Sequence, residues 1–116
     1  MTTLIVIDQA PYGSWAGREA LDMAFSLAAF DQPAAMLFIG PGVNWLRKGQ
    51  QPSDVGQKSA EKNLSAAPMF GIEALIADKH ACQQYGLNEE AMLSGVELAG
   101  NLQDVLNHHQ QVVFAG

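Results

Sequence analysis

Runs of apolar residues, separated by polar or glycine-containing stretches, divide the chain into alternating strands and helices. The run Thr3–Ile7 is continuous and rich in β-branched residues, which is typical of a strand covered on both faces of a parallel sheet. Between Leu21 and Ala28, apolar residues then recur at the spacing of one helix face. A second apolar run, Ala34–Ile39, predicts strand two and completes one β-α-β unit.

The rest of the chain continues this alternation. Gly40-Pro41-Gly42 predicts a tight turn, the stretch that follows to Gln50 a loop, and Ser53–Ala66 a polar helix that ends before Pro68. The last five predicted elements are a strand, a short helix, a strand, a helix and a strand: Ile72–Ala77, Lys79–Tyr85, Val96–Leu98, Leu102–Leu106 with Asn101 as its cap, and Val112–Phe114.

This order of elements predicts an α/β fold. We expect residues 1–116 to form a single domain with three α/β/α layers and a mostly parallel sheet of about five strands, flavodoxin-like or Rossmann-like. Such sheets place ligand sites beyond the carboxyl ends of their strands. Chemistry is therefore expected in the loops 8–14, 40–50 and 78–82.

Composition and charge limit the classes of molecule that the chain is expected to bind. The chain is 48% hydrophobic and 16% charged, whereas soluble domains average about 25% charged residues. This imbalance predicts apolar surface that is buried against other subunits. Six basic against twelve acidic residues give a net charge of −6, the wrong sign for direct binding of nucleic acid. We expect a cytoplasmic protein without a membrane segment, because the first apolar run ends at Asp8 after five residues.

Cys82 is the only cysteine of the chain and therefore its only candidate thiol nucleophile. His80 and Lys79 precede it closely enough to lower the pKa of its thiol, but residues two apart on a helix point to different faces. An inert, buried cysteine is the alternative. The pair His108-His109 lacks a carboxylate or second cysteine at ligand spacing, so we expect no metal.

Gly40-Pro41-Gly42 resembles the start of a dinucleotide fingerprint, but Trp45 stands where the third glycine belongs. We therefore expect no cofactor, with a flavin or nucleotide at the switch point of the sheet as the alternative. Large apolar side chains in or beside the predicted loops are candidate interface anchors: Trp15, Trp45, Met69 and Phe70.

Several blocks of the chain resemble the TusC/DsrF family. The most specific is a loop motif with Pro11, Gly13, Gly17, Arg18, Glu19 and Asp22. Weaker blocks follow in register over nearly the whole chain: Phe38-Ile39, Gly42-Val43, Leu46, Gly49-Gln50, Pro52, Gly86-Leu87 and Gln111–Phe114.

The resemblance implies a subunit of a three-protein sulfur-relay complex, TusBCD or DsrEFH, built as a dimer of heterotrimers. The implied partners are a TusB-like or DsrH-like subunit, a TusD-like or DsrE-like subunit, and through the complex a TusE-like or DsrC-like sulfur acceptor. A TusBCD-like complex passes persulfide sulfur towards 2-thiolation of wobble uridine in tRNA. A DsrEFH-like complex acts in sulfur oxidation, and the sequence does not separate the two.

In this family the catalytic cysteine lies on the TusD/DsrE subunit, in the loop after strand three, eight residues before a glycine. Counting back from Gly86 gives Asp78, and Cys82 lies four positions later. Since a carboxylate cannot carry a persulfide, the resemblance implies a non-catalytic chain. A persulfide on Cys82 itself is the alternative, as is a self-associating structural protein.

Overall fold

The computed structural model describes residues 3–8, 26, 34–47, 71–93 and 95–115. Its five strands are β1 Thr3–Ile7, β2 Ala34–Phe38, β3 Ile72–Asp78, β4 Val96–Ala99 and β5 Gln111–Ala115. Two short α-helices are α1, Lys79–Gln84, and α2, Leu102–Asn107. Two 3₁₀ helices are η1, Gly40–Leu46, and η2, Glu89–Ala91.

The five strands form one parallel sheet in the order β4-β3-β2-β1-β5. From β1 to β4 each new strand is added on the same side of the sheet, and β5 then pairs with the other side of β1. This confirms the predicted α/β class and the parallel sheet. It also places the switch point of the topology between β1 and β5, and leaves β4 and β5 at the edges.

Both faces of the sheet are buried along β1 and β2, which explains why these strands are apolar at consecutive positions. Along β1, Ile5 and Ile7 belong to one core cluster, and Leu4 and Val6 to the other. The first cluster includes residues of η1, α1 and the chain after α1: Val43, Trp45, Leu46, Ala81, Cys82, Leu87, Met92 and Leu93. The second core cluster packs against α2, through Leu102, Val105 and Leu106. Elements on opposite faces therefore sandwich the sheet.

The segment after β2 differs from its prediction, because Gly40–Leu46 forms a 3₁₀ helix where a turn and loop were expected. Gly40 has φ +51°, a conformation that glycine adopts freely. The Gly42 N–H donates to the Ile39 carbonyl over 2.9 Å, and Pro41 supplies a fixed φ in the first turn. Burial of Val43, Trp45 and Leu46 then stabilises the helix.

The remaining boundaries agree with the prediction to within one or two residues. Asn101 caps α2 as expected, its side chain accepting from the N–H groups of Gln103 and Asp104. Ser26 is helical, within the predicted first helix. The rest of that helix and the predicted helix 53–66 lie outside the described residues.

Candidate functional site

The carboxyl end of β3 is the best-described of the three predicted loop sites. Here β3 passes directly into α1, and η1 packs against α1 from the end of the neighbouring strand β2. Gly42 brings η1 so close to β1 that a Cβ on it would overlap the Ile7 carbonyl oxygen and lie 2.8 Å from the carbonyl carbon. The end of β1 and the segments after β2 and β3 therefore lie together at the carboxyl end of the sheet.

Asp78 is the last residue of β3 and the N-cap of α1. Its Oδ1 accepts a hydrogen bond from the His80 N–H over 3.2 Å. An N-cap carboxylate satisfies one of the free N–H groups of the first turn. Asp78, which the resemblance aligns with the catalytic cysteine of a partner subunit, therefore has a local structural role as a cap.

Cys82 lies one turn into α1 and faces inward. Only 3% of its surface is exposed, and it is a member of the core cluster that also contains Trp45. Its carbonyl oxygen accepts from the Leu87 N–H over 2.8 Å, which anchors the chain after α1. The structure therefore places the thiol inside the protein, one helical turn after the strand end.

Arg47 joins the end of η1 to the end of α1. Its Nη2 donates to Asn44 Oδ1 and to the Tyr85 carbonyl oxygen, each over 3.0 Å. Its backbone forms an isolated antiparallel bridge with Met92. Arg47 is thus a fixed positive charge beside the inner face of α1.

Burial raises the pKa of the Cys82 thiol above its ordinary value, and the Asp78 carboxylate raises it further. Arg47 acts in the opposite direction and only partly offsets these two effects. The thiolate is the nucleophilic form of cysteine. Cys82 is therefore held in its unreactive form at neutral pH.

His108 and His109, which the sequence analysis considered as metal ligands, each form a local hydrogen bond to the backbone. His108 Nδ1 lies 2.6 Å from the Asp104 carbonyl oxygen, and His109 Nδ1 lies 2.8 Å from that of Val105. Because a carbonyl oxygen only accepts, Nδ1 of each ring is the donor. Within the described ranges, no three of His, Cys, Asp and Glu are grouped to hold a metal ion. Nor does this part of the chain include a helix of the length and apolarity that crossing a membrane requires.

Trp45, a predicted interface anchor, instead packs inside the chain. It is 4% exposed and belongs to the core cluster of the η1 and α1 face. A side chain with so little free surface offers nothing to a partner, so Trp45 is corrected to a packing residue. The other three predicted anchors and the six residues of the loop motif lie outside the described residues: Trp15, Met69, Phe70, Pro11, Gly13, Gly17, Arg18, Glu19 and Asp22.

Other exposed apolar side chains were missed by the sequence reasoning. Phe114 on β5 is 64% exposed, Leu98 on β4 is 39% exposed, and Tyr85 after α1 is 39% exposed. The first two lie on edge strands, a fact that only the strand order reveals. Asp8, directly after β1 at the switch point, was not singled out either, and within the described part of the chain its buried Oδ1 has no hydrogen-bond partner.

The parallel sheet with a capped α1 after β3 defines an α/β protein whose strand-end position carries a carboxylate instead of a thiol. Comparison with known families matches residues 1–114 to the DsrE/DsrF-like family. The chain belongs to that family.

Relatives and solved structures agree with this assignment. The protein TusC homolog of Pseudomonas aeruginosa is 38% identical over 112 residues, which is 95% of this chain and 94% of the relative. The protein TusC homolog of Vibrio vulnificus is 30% identical over 106 residues, 90% of each chain. The crystal structure of the ychN protein from E. coli superposes with a TM-score of 0.81 at 18% identity, covering 97% of both chains. At that identity the structure supports the fold alone.

Proposed function

We propose that the chain is a non-catalytic subunit of a cytoplasmic sulfur-relay heterohexamer resembling TusBCD. In this role residues 1–116 act as one domain that pairs with a TusB-like and a TusD-like subunit. The assembled complex passes persulfide sulfur to a TusE-like acceptor and onward to 2-thiolation of wobble uridine in tRNA. Similarity to proteins named TusC supports this assignment.

The non-catalytic role is supported by the environment of two residues: Asp78 occupies the strand end, and Cys82 is buried. A persulfide carrier must present a thiolate to a donor and then to an acceptor. Asp78 at the strand end has no sulfur, and Cys82 is 3% exposed with a raised thiol pKa. The reactive cysteine of the complex therefore belongs to a partner.

Exposed apolar groups on the edge strands support a role in assembly. Phe114 and Leu98 are large hydrophobic side chains that the chain leaves at its surface. Large apolar groups at a surface commonly mark sites of association. Partner subunits would cover them and would account for the low fraction of charged residues.

Co-expression with TusB-like and TusD-like partners tests the assembly. The chain should co-purify with both in a complex of fixed stoichiometry, measured by sedimentation and native mass spectrometry. Expressed alone, it should self-associate or aggregate. A monodisperse monomer that binds neither partner would overturn the proposed function.

A DsrF-like role in sulfur oxidation is the second candidate, favoured by the match to the DsrE/DsrF-like family. Measuring 2-thiouridine in tRNA after deletion and complementation separates the two. Restoration of thiolation by this chain supports the tRNA branch. Unchanged thiolation in the deletion strain, together with impaired sulfur oxidation, supports the other.

A further inference from the structure

We propose that the free edge of β4 and the groove beside it bind an extended segment of a partner protein in which basic and apolar side chains alternate. The groove has a volume of about 250 Å³ and is lined by Glu89, Met92, Leu93, Gly95, Val96 and Leu98. Among the described residues β4 pairs only with β3, which leaves its outer backbone groups for a further strand.

The two faces of β4 differ in chemistry. Val96 and Leu98 are in register with Leu75 and Ala77 of β3, on the face of the η1 and α1 core cluster. Glu97 is in register with Ile76 on the opposite face and is exposed. A strand added to this edge alternates its side chains in the same way. Its apolar positions would extend the groove, and its polar positions would lie beside Glu97.

The acidic side chains near β4 favour a basic partner segment. After Lys79 the sequence contains no lysine or arginine, whereas Glu97 on β4 and Glu89 in the groove lining are both exposed. Basic side chains at the polar positions of the added strand would pair with Glu97. The occupant is therefore a cationic strand.

A second copy of this chain does not fit the same edge. Antiparallel addition of β4 to its own copy must keep each face continuous, so Glu97 lies opposite or diagonal to Glu97 of the copy. Like charges at these positions destabilise a strand pair. This excludes self-pairing through β4 and leaves a partner of opposite charge.

Three synthetic peptides test the inference on the full chain. One alternates lysine and valine over seven residues, the second alternates glutamate and valine, and the third has the first composition with lysines and valines in separate blocks. Only the first should protect the amides of 96–99 from hydrogen exchange, and its affinity should fall as salt is raised.

Variants of the chain then locate the peptide. Glu97→Lys should weaken binding of the alternating basic peptide about tenfold, because one attractive cross-strand pair becomes repulsive. Leu98→Ser should weaken it as well. Gln111→Lys adds a positive charge on β5, at the opposite edge of the sheet from β4, and should leave affinity within about twofold. Thermal unfolding of each variant confirms that it is folded.

Absence of protection at 96–99 at saturating peptide would overturn the inference, as would equal binding of the acidic peptide or of Glu97→Lys. So would a dimer of the chain alone with protected β4 amides. The inference rests on the proposed function in one respect: it takes the partner subunits of the complex as the natural source of the added strand. If the peptide fails while the chain still co-purifies with its partners, the proposed function stands and this site does not.

Discussion

Replacing Trp45 with alanine separates a packing role from an interface role. The side chain is 4% exposed in the cluster that joins η1, α1 and the sheet. A buried tryptophan removes about 150–250 Å² of surface from water, which at about 25 cal/mol per Å² corresponds to roughly 4–6 kcal/mol. Since alanine retains part of that burial, and neighbours relax partly into the cavity, we expect a loss of about 4 kcal/mol in the free energy of unfolding.

That loss is a large share of the roughly 5–15 kcal/mol by which domains are stable. For 116 residues it corresponds to a decrease of about 16 °C in Tm, from the usual unfolding entropy per residue. Urea and thermal unfolding followed by far-ultraviolet circular dichroism measure it without relying on tryptophan fluorescence. Trp45→Phe should cost less, because it keeps most of the ring volume.

Phe114→Ala is the matched control, since it removes an aromatic ring that is 64% exposed. Its unfolding free energy should change by less than about 0.5 kcal/mol. Trp45→Ala with unchanged stability but weakened partner binding would refute the assignment of Trp45 to the core and return it to an interface.

Three further predictions concern the edge of the sheet around β3. Asp78→Ala should lower the free energy of unfolding by about 1 kcal/mol through loss of the cap, and Asp78→Asn should retain most of it, as measured by urea unfolding; equal losses would mean that capping is not its task. Gly42→Ala should cost about 2 kcal/mol, because its Cβ meets the Ile7 carbonyl, whereas Gly100→Ala, with nothing within 4 Å of its Cβ, should cost little; similar values for both would contradict the close approach. Alkylation of Cys82 by iodoacetamide should be slow in the folded chain and should shift to lower pH in Asp78→Asn, because that carboxylate raises the thiol pKa; an unshifted pH profile would remove Asp78 from the surroundings of the thiol. The raised pKa also means that the contribution of Cys82 to stability is present below the ordinary thiol pKa and is lost as alkaline pH rises towards the folded value.

The strands were predictable because burial on both faces produces an unmistakable apolar run. β1 and β2 are examples, each buried at all five positions. The order of the strands was not predictable, since a crossover connection does not say on which side of β1 the last strand lies. For that reason Val112–Phe114 was predicted as a strand while the exposure of Phe114 at the sheet edge was missed.

The site was predictable to a similar extent. Spacing from Gly86 placed Asp78 in the loop after strand three, whereas the structure makes it the last residue of β3 and the N-cap of α1, with a bond from the His80 N–H. The environment of Cys82 was left open by the sequence, because helical spacing alone does not show which face of a six-residue helix is buried. Trp45 was misassigned for the same reason: glycines and a proline around it indicated a loop, and a 3₁₀ helix turned it inward.

Sulfur labelling of the assembled complex tests the central claim most directly. The chain, co-purified with its TusB-like and TusD-like partners, is loaded with a ³⁵S-labelled persulfide donor and resolved by non-reducing electrophoresis. Asp78→Cys, which introduces a thiol at the strand end, serves as the control that a labelled thiol on this chain would be detected. We expect label on the TusD-like partner, none on the wild-type chain, and transfer to the acceptor in Cys82→Ala at the wild-type rate. Label on this chain that disappears in Cys82→Ala, together with loss of transfer, would contradict the account and make Cys82 a carrier.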